Sequence, residues 1–323
     1  MTRCEHMGAR NLAVGVCTCR RPEQLWRCLQ SLAQLERPAA VDVCVIIADN
    51  DPAGSARPVA ERFSAAAGCA VHYGVEPRRG IPFARNNVIE RAVKIGITDL
   101  AFIDDDEYVS PGWLATLWDR YIGSGADVMA GYVETVYPPG TPRWIIEGNF
   151  FQNARRAAGT PLRTAATGNV LFNLHTLAVQ RGLRFDEGFG AAGGSDTDFF
   201  YRAARQGAVI MWTADAPVFE VLARERMCLS YLLKSRFRKS NLKPGYAELA
   251  ASQKIALFFG LLKKIITGVL ILPVSPVHGF SSVARALSDM VAALANMMAL
   301  LGWRIRWDEY RGPSARDAEK ADV

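Results

Sequence analysis

The chain has 323 residues, half of them hydrophobic, and carries a formal net charge of +6. That length accommodates one large α/β domain with an appendage or two smaller domains, and the apolar share supplies a substantial core. The positive balance favours anionic partners without choosing among nucleic acid, nucleotide phosphates and acidic lipid.

The N-terminal segment MTRCEHMGAR lacks the apolar run of a secretory signal, so residues 1–10 are expected to form a disordered leader. Seven cysteines, an odd number scattered mostly through apolar segments, read as reduced thiols of a cytosolic protein. Cys17 and Cys19 make a C-x-C with no second pair to complete a zinc site.

Residues 12–17 are a β-prone run, TCRRP breaks it, and Leu25, Leu29, Leu32 and Leu35 recur at helical spacing. A second, nearly continuous apolar strand over 41–48 ends in Asp49, where a parallel α/β sheet meets a nucleoside beyond the carboxyl ends of its strands. A third strand is expected over 69–74, then a helix over 83–93 with Arg85 and Asn86 in its first turn. Guanidinium and helix N-terminus together suit a phosphate, although an arginine there is also ordinary surface charge. The fourth strand, 100–103, runs into Asp104, Asp105, Asp106 and Glu107. Carboxylates packed side by side repel unless a cation or a ring of donors compensates them, which points to a divalent metal; the plain alternative is a solvated acidic turn capping the next helix. The β-α-β-α-β-α-β order implies a parallel sheet with helices on both faces.

A helix over 113–122 and a strand over 128–136 follow; residues 145–162 are ambiguous, and 167–173 reads as a strand. The small-residue loop 190–194 delivers Ser195, Asp196, Thr197 and Asp198 to a helix start, where an acid either complements the helix dipole or serves as a base. Short strands are expected at 209–212 and 217–221, then a helix over 227–239 carrying Lys234, Arg236, Arg238 and Lys239. No nucleic-acid motif accompanies these basic residues, so nucleic acid is not an expected partner. Residues 255–273 are apolar but split by Lys263 and Lys264, which suits a helix lying in a membrane surface better than a span. Residues 282–301 carry an amphipathic stripe, with Trp303, Arg304, Arg306 and Trp307 as interfacial anchors. A hairpin packed on the domain, or a dimer contact, is the competing reading. The expected units are 11–245 as the α/β domain, 246–311 as membrane-associating helices and 312–323 as a disordered tail.

An ordered set of segments across residues 12–241 resembles the family 2 glycosyltransferases. VGVCTCRRP is similar to the family's opening strand and loop, with Arg20 where Asn is usual. ADNDPAG resembles its second-strand segment, GIPFARNNVIERA its GxxxARN segment, and FIDDDE its D-x-D metal motif. GGSDTDFFYRA resembles the G-G-E-D-x-D segment of bacterial exopolysaccharide transferases, with Ser195 in place of Glu. The resemblance implies a GT-A fold, in which a Rossmann-like, mostly parallel central sheet is flanked by helices, here followed by a C-terminal apolar helical hairpin.

It also implies roles. Thr18, Asp49, Arg85, Asn86, Asp104 and Asp105 would meet the nucleotide sugar, with Asp49 at the base and Arg85 at the diphosphate. Asp106 would ligate Mg²⁺ or Mn²⁺. Asp196 would be the base, with Asp198 as a substitute, and Asn169, Arg236 and Arg238 would face acceptor or diphosphate. YLLKSRFR lacks the Gln and Trp of the processive Q-x-x-R-W segment, so a single, inverting transfer is expected, from a nucleotide sugar to a glycolipid or polysaccharide acceptor. The expected location is the cytoplasmic face of the cell membrane. Competing readings are a nucleotidyltransferase on a similar sheet and a non-catalytic nucleotide-sugar-binding scaffold.

Overall fold

The computed structural model describes residues 10–190, 192–273, 277 and 279–305. Nearly all of the expected leader, the anchors Arg306 and Trp307, and the tail lie outside the described residues.

The apolar runs of the N-terminal half become β1 (Asn11–Thr18), β2 (Asp42–Asp49), β3 (Val71–Val75) and β4 (Asp99–Asp104). The helices between them are α1 (Pro22–Leu32), α2 (Arg57–Ser64) and α3 (Ile81–Lys94). Each helix has a proline in its first two positions, where the ring's fixed φ suits a helix start and no amide partner is lost. These strands pair in the order β3-β2-β1-β4, every pair parallel, so their carboxyl ends share one edge. Thr18 stands opposite Asp49, and Cys17 opposite Asp104.

Beyond β4 come β5 (Glu107–Val109), α4 (Trp113–Ser124), β6 (Val128–Val136), α5 (Arg143–Gly148), β7 (Thr160–Leu162) and β8 (Asn169–Asn173). Then follow α6 (Ser195–Arg205), β9 (Ile210–Val221) and α7 (Leu229–Asn241). Here the sheet becomes mixed: β8 is antiparallel to both β4 and β6, β9 is parallel to β6, and β5 and β7 flank β9 antiparallel. The acidic stretch does not cap α4, whose N-cap Gly112 receives no side-chain bond. It turns instead into β5, three residues too few and too polar to read as a strand, whose Tyr108 stacks on Phe219 at 5.3 Å. The two short strands expected at 209–212 and 217–221 are the two ladders of β9, joined across an irregularity opposite Gly131 and Val133 of β6.

Both faces of the sheet are covered, which is why its strands read as almost continuous apolar runs. Ala13, Ile46, Val88, Phe102, Phe172, Phe199 and Phe200 fill one side. Leu12, Val14, Leu25, Leu29, Trp113 and Leu117 fill the other. Cys28 and Cys44 are core thiols, whereas Cys228 is exposed.

The chain closes with α8 (Ala251–Ile271) and α9 (Phe280–Leu300). Small residues, Ala284, Ser288, Ala293, Ala295 and Ala299, form the buried side of α9. A β-carbon at Gly268 of α8 would lie 2.3 Å from Met290 of α9, so the two helices approach through that glycine. Arg285 donates to the Gly148 carbonyl at 2.7 Å, and Trp144 meets Phe280 edge-on at 5.3 Å, which docks α9 against α5. Asn241, at the end of α7, donates to the carbonyls of Ala295 and Trp303 and accepts from the Ile305 amide. Among the described residues one helix, Phe280–Leu300, is long and apolar enough to cross a membrane. The outer helix α8 buries only Leu261 and exposes Ile255, Phe259, Ile266 and Leu270 at spacings of one helical face.

Candidate active site

The carboxyl edge of β1, β2 and β4 gathers the sequence-expected residues, and it sorts them into braces and groups that face the cleft. Asp49 is a brace here. Its carboxylate is 0% exposed and accepts from the Asp51 and Ala56 amides and the Tyr73 hydroxyl at 2.8–3.0 Å, so it holds the β2–α2 turn. Asn50 is fixed likewise, donating to the Glu76 and Arg78 carbonyls and accepting from the Gly80 amide. Arg20 has φ +56°, the left-handed region that Asn tolerates better than most side chains, and its guanidinium donates to Asp51 at 3.3 Å. Asn86 pairs both of its amide atoms with the backbone of Phe185. Asn169 donates to the carbonyls of Tyr132 and Ala216 and accepts from the Trp113 indole, joining three elements beneath the cleft.

The acidic stretch divides residue by residue. Asp105 is buried and accepts from the Thr18 hydroxyl at 2.7 Å and from Arg21 at 3.3 Å, tying the end of β1 to the turn after β4. Glu107 accepts from the Asp104 amide at 2.8 Å and closes the turn. A β-carbon at Gly168 would stand 2.6 Å from the carboxylate tip of that glutamate and 3.4 Å from Asp104, so glycine lets the chain before β8 pass close beside both. Asp104 keeps 48% of its side chain open to the cleft. Enclosure by the surrounding protein pushes its carboxyl up to about 7, against the pull of Arg85, with Asp106, Asp105 and Asp196 adding. The same loss of hydration, opposed chiefly by Arg21, pushes Asp105 up to about 6. Asp106 is 24% exposed and lies between two guanidiniums, Arg21 at 3.5 Å and Arg226 at 3.3 Å.

Arg85 links this edge to the opposite wall. α3 begins at Ile81, two residues before the expected start, so Arg85 stands in its second turn; from there it donates to the Ser195 hydroxyl at 3.1 Å, and its second terminal nitrogen lies 3.9 Å from Asp104. Ser195 is 0% exposed, so the residue standing where Glu is usual is a neutral acceptor buried against an arginine. Gly194, at φ +85°, swings the chain into α6 and sets Asp196 in its first turn. Asp196 accepts from the amide and hydroxyl of its neighbour Thr197, and lies near enough to Asp104 to raise it. Asp198 instead points along the helix to Arg202 at 2.7 Å, whose guanidinium also donates to the Arg184 carbonyl.

On the far wall stands α7. Arg236 is exposed and Arg238 half-buried. Lys239 is exposed on the same helix, and the Arg226 guanidinium lies over the ring of Tyr231 of α7 at 5.9 Å, so this basic helix adjoins Arg226. Arg226 itself, with Glu220 and Arg21, is absent from the sequence-expected set. Arg21 is part of the TCRRP break, and the run Arg224–Arg226 between strand and basic helix was the available signal; its acidic partner lies 120 residues away.

The family 2 glycosyltransferase profile matches residues 13–179. The chain belongs to glycosyl transferase family 2. The succinoglycan biosynthesis protein ExoM of Rhizobium meliloti (strain 1021) is 36% identical over 228 residues, covering 71% of this chain and 72% of that protein. Among solved structures, S. aureus TarS 1–349 in complex with UDP-GlcNAc superposes with a TM-score of 0.52 at 14% identity, covering 94% of this chain and 95% of that one. The longer TarS structure gives 0.52 at 14% identity, and this chain spans 55% of it. At such identity the likeness concerns the fold, which is GT-A, with a central mixed sheet flanked by helices. The family 2 match takes in β1 to β8 and ends before α6, β9 and α7, so Asp196 and Arg226 stand on elements outside the matched segment.

Family 2 glycosyltransferases commonly use a divalent metal. Among the described residues no group of three or more His, Cys, Asp or Glu converges into a cage. Asp104 and Asp106 are two hard oxygen donors at the cleft, which fits a cation held by one or two carboxylates and completed by water and substrate phosphates.

Proposed function

We propose that this protein is an inverting, non-processive glycosyltransferase of exopolysaccharide assembly, moving one sugar from a nucleotide sugar to a lipid-linked or polysaccharide acceptor. The observation that carries the reading is Arg85, whose guanidinium spans from Asp104 on the donor side to Ser195 beside the expected base. That contact draws three motifs, separate in sequence, into one cleft. The curated relative acts in succinoglycan biosynthesis by name, which supports a polysaccharide product. The solved TarS complex with UDP-GlcNAc makes UDP-sugars the first donors to try.

In the transfer, Asp196 accepts the proton of the acceptor hydroxyl as its oxygen bonds to the sugar's anomeric carbon. The bond from that carbon to the diphosphate breaks on the opposite face, and the electron pair leaves with the nucleoside diphosphate. Arg85, held by a neutral hydroxyl and no nearer than 3.9 Å to a carboxylate in the described contacts, directs positive charge toward the departing phosphates. Mg²⁺ or Mn²⁺ on Asp106, with Asp104 beside it, would supply Lewis-acid neutralisation of that leaving group. Thr18 and Asp105 act as a pair that fixes the turn presenting these carboxylates.

The exposed apolar face of α8, flanked by Lys263 and Lys264, supports attachment to the cytoplasmic face of a membrane, where a lipid-linked acceptor resides. The deciding experiment incubates UDP-, GDP- and dTDP-sugars with the protein and Mn²⁺. Release of a nucleoside diphosphate that EDTA abolishes is the expected result. Pyrophosphate release from a nucleoside triphosphate, or binding without donor turnover, would overturn the reading in favour of a nucleotidyltransferase or a scaffold.

A further inference from the structure

Asp106, the carboxylate expected to hold the metal, already has a cation on it. Arg226 sits on the short turn between β9 and α7, outside the sheet. One terminal nitrogen of its guanidinium donates to Asp106 at 3.3 Å while the other is engaged by Glu220. The two carboxylates come from different parts of the fold, the turn after β4 and the strand β9, and each has a nitrogen of its own. Arg21, the other cation on Asp106, is also committed to Asp105 on the same turn, so it belongs to the fixed floor. Arg85 makes its hydrogen bond to a neutral hydroxyl and needs no exchange of carboxylates. Arg226 differs from both. It can release Asp106 and stay tethered to Glu220, and α7, whose Tyr231 ring lies 5.9 Å from its guanidinium, carries the basic residues to which a diphosphate would be drawn.

We propose that Arg226 is a positioning residue that exchanges partners: it neutralises Asp106 while the donor is absent, and pivots on Glu220 to the diphosphate when nucleotide and metal enter together. This rests on the nucleotide-sugar transfer reading and goes beyond it by fixing an order of binding. A divalent ion arriving alone must displace a guanidinium that has nowhere better to go. An ion arriving with a diphosphate brings the anion that receives Arg226. Metal and nucleotide therefore bind as a coupled pair.

The test measures Mn²⁺ binding to the full-length protein by the paramagnetic resonance signal of free Mn²⁺, with and without UDP, for wild type, Arg226→Gln and Arg226→Lys. Wild type is expected to bind Mn²⁺ weakly alone and about tenfold or more tightly with saturating UDP. Arg226→Gln is expected to bind Mn²⁺ alone about tenfold more tightly than wild type, and to lose most of the coupling to UDP. A gain in metal affinity is not what a merely damaged fold produces. Arg226→Lys keeps the charge but loses the two-nitrogen bridge, so it should fall between the two, and it carries the test if the Gln variant does not fold. Unchanged Mn²⁺ affinity and unchanged coupling in both variants overturn the role of Arg226 while wild-type Mn²⁺–UDP binding leaves the transfer reading standing. Wild type that binds none of UDP, GDP and dTDP in the presence of Mn²⁺ overturns both.

Discussion

The two walls of the cleft are built differently. On the β1–β4 side, Asp49, Asn50, Asp105 and the nearby Asn86 have their polar atoms engaged by their own chain, and all four are buried. On the α6–β9–α7 side, Asp196 accepts only from its neighbour Thr197 in the described bonds, Arg236 is exposed, and Arg226 is shared between two carboxylates. In the proposed transfer the pinned floor would give the donor a fixed seat at little cost in reorganisation, whereas the groups proposed to take up a proton or change ion partners stand on the looser wall.

The sharpest way to break the comparison is at its junction. Asp106→Ala should lower metal-dependent transfer by about a thousandfold or more, read as nucleoside diphosphate release, since it removes the expected cation ligand. Asp196→Asn should lose roughly 10²–10⁴ in turnover, the range of a general base, with UDP affinity preserved by equilibrium dialysis. The paired variant Asp198→Asn breaks an ion pair with Arg202 and should leave turnover within about threefold, because a partly exposed i,i+4 pair is worth little. Near-normal transfer by Asp196→Asn would remove it as the base.

Smaller effects separate brace from ligand. Asn169→Ala should cost about 2–3 kcal/mol in a denaturant melt, because it strands buried carbonyls and an indole N–H. If Asn169 instead touches the acceptor, stability will hold and the acceptor KM will rise. The smallest expected effect is on α8: Phe259→Ser should weaken co-sedimentation with anionic vesicles by about tenfold, the order of one buried aromatic's transfer energy, without altering soluble donor hydrolysis.

The strands and the shared edge of the pinned floor, and the acids at the start of α6, were legible in the sequence; the partners of each side chain, and Arg226 altogether, were not. Apolar runs ending in Asp49 and Asp104 give both the strands and the edge they share, because a buried parallel strand and its carboxyl end are local patterns. The chemistry of a side chain, however, depends on who arrives from elsewhere. Asp49 and Asn169 read as ligands by type and position, and only the fold shows that Tyr73 and Trp113 also reach them from distant elements. Ser195 read as a departure from a family pattern, and only its packing against Arg85, 110 residues away, gives the hydroxyl a part to play. Arg226 fell in a three-residue turn with no periodicity to mark it.

Asn241 couples the far wall to the chain's end. Its side chain is bound at once to Ala295, Trp303 and Ile305, while its backbone finishes the helix that bears Arg236 and Arg238. Helices α7 and α9 are thereby one mechanical piece, with Arg236 and Arg238 on the one and the apolar hairpin continuing from the other. Whatever moves the hairpin therefore also moves those arginines relative to the sheet.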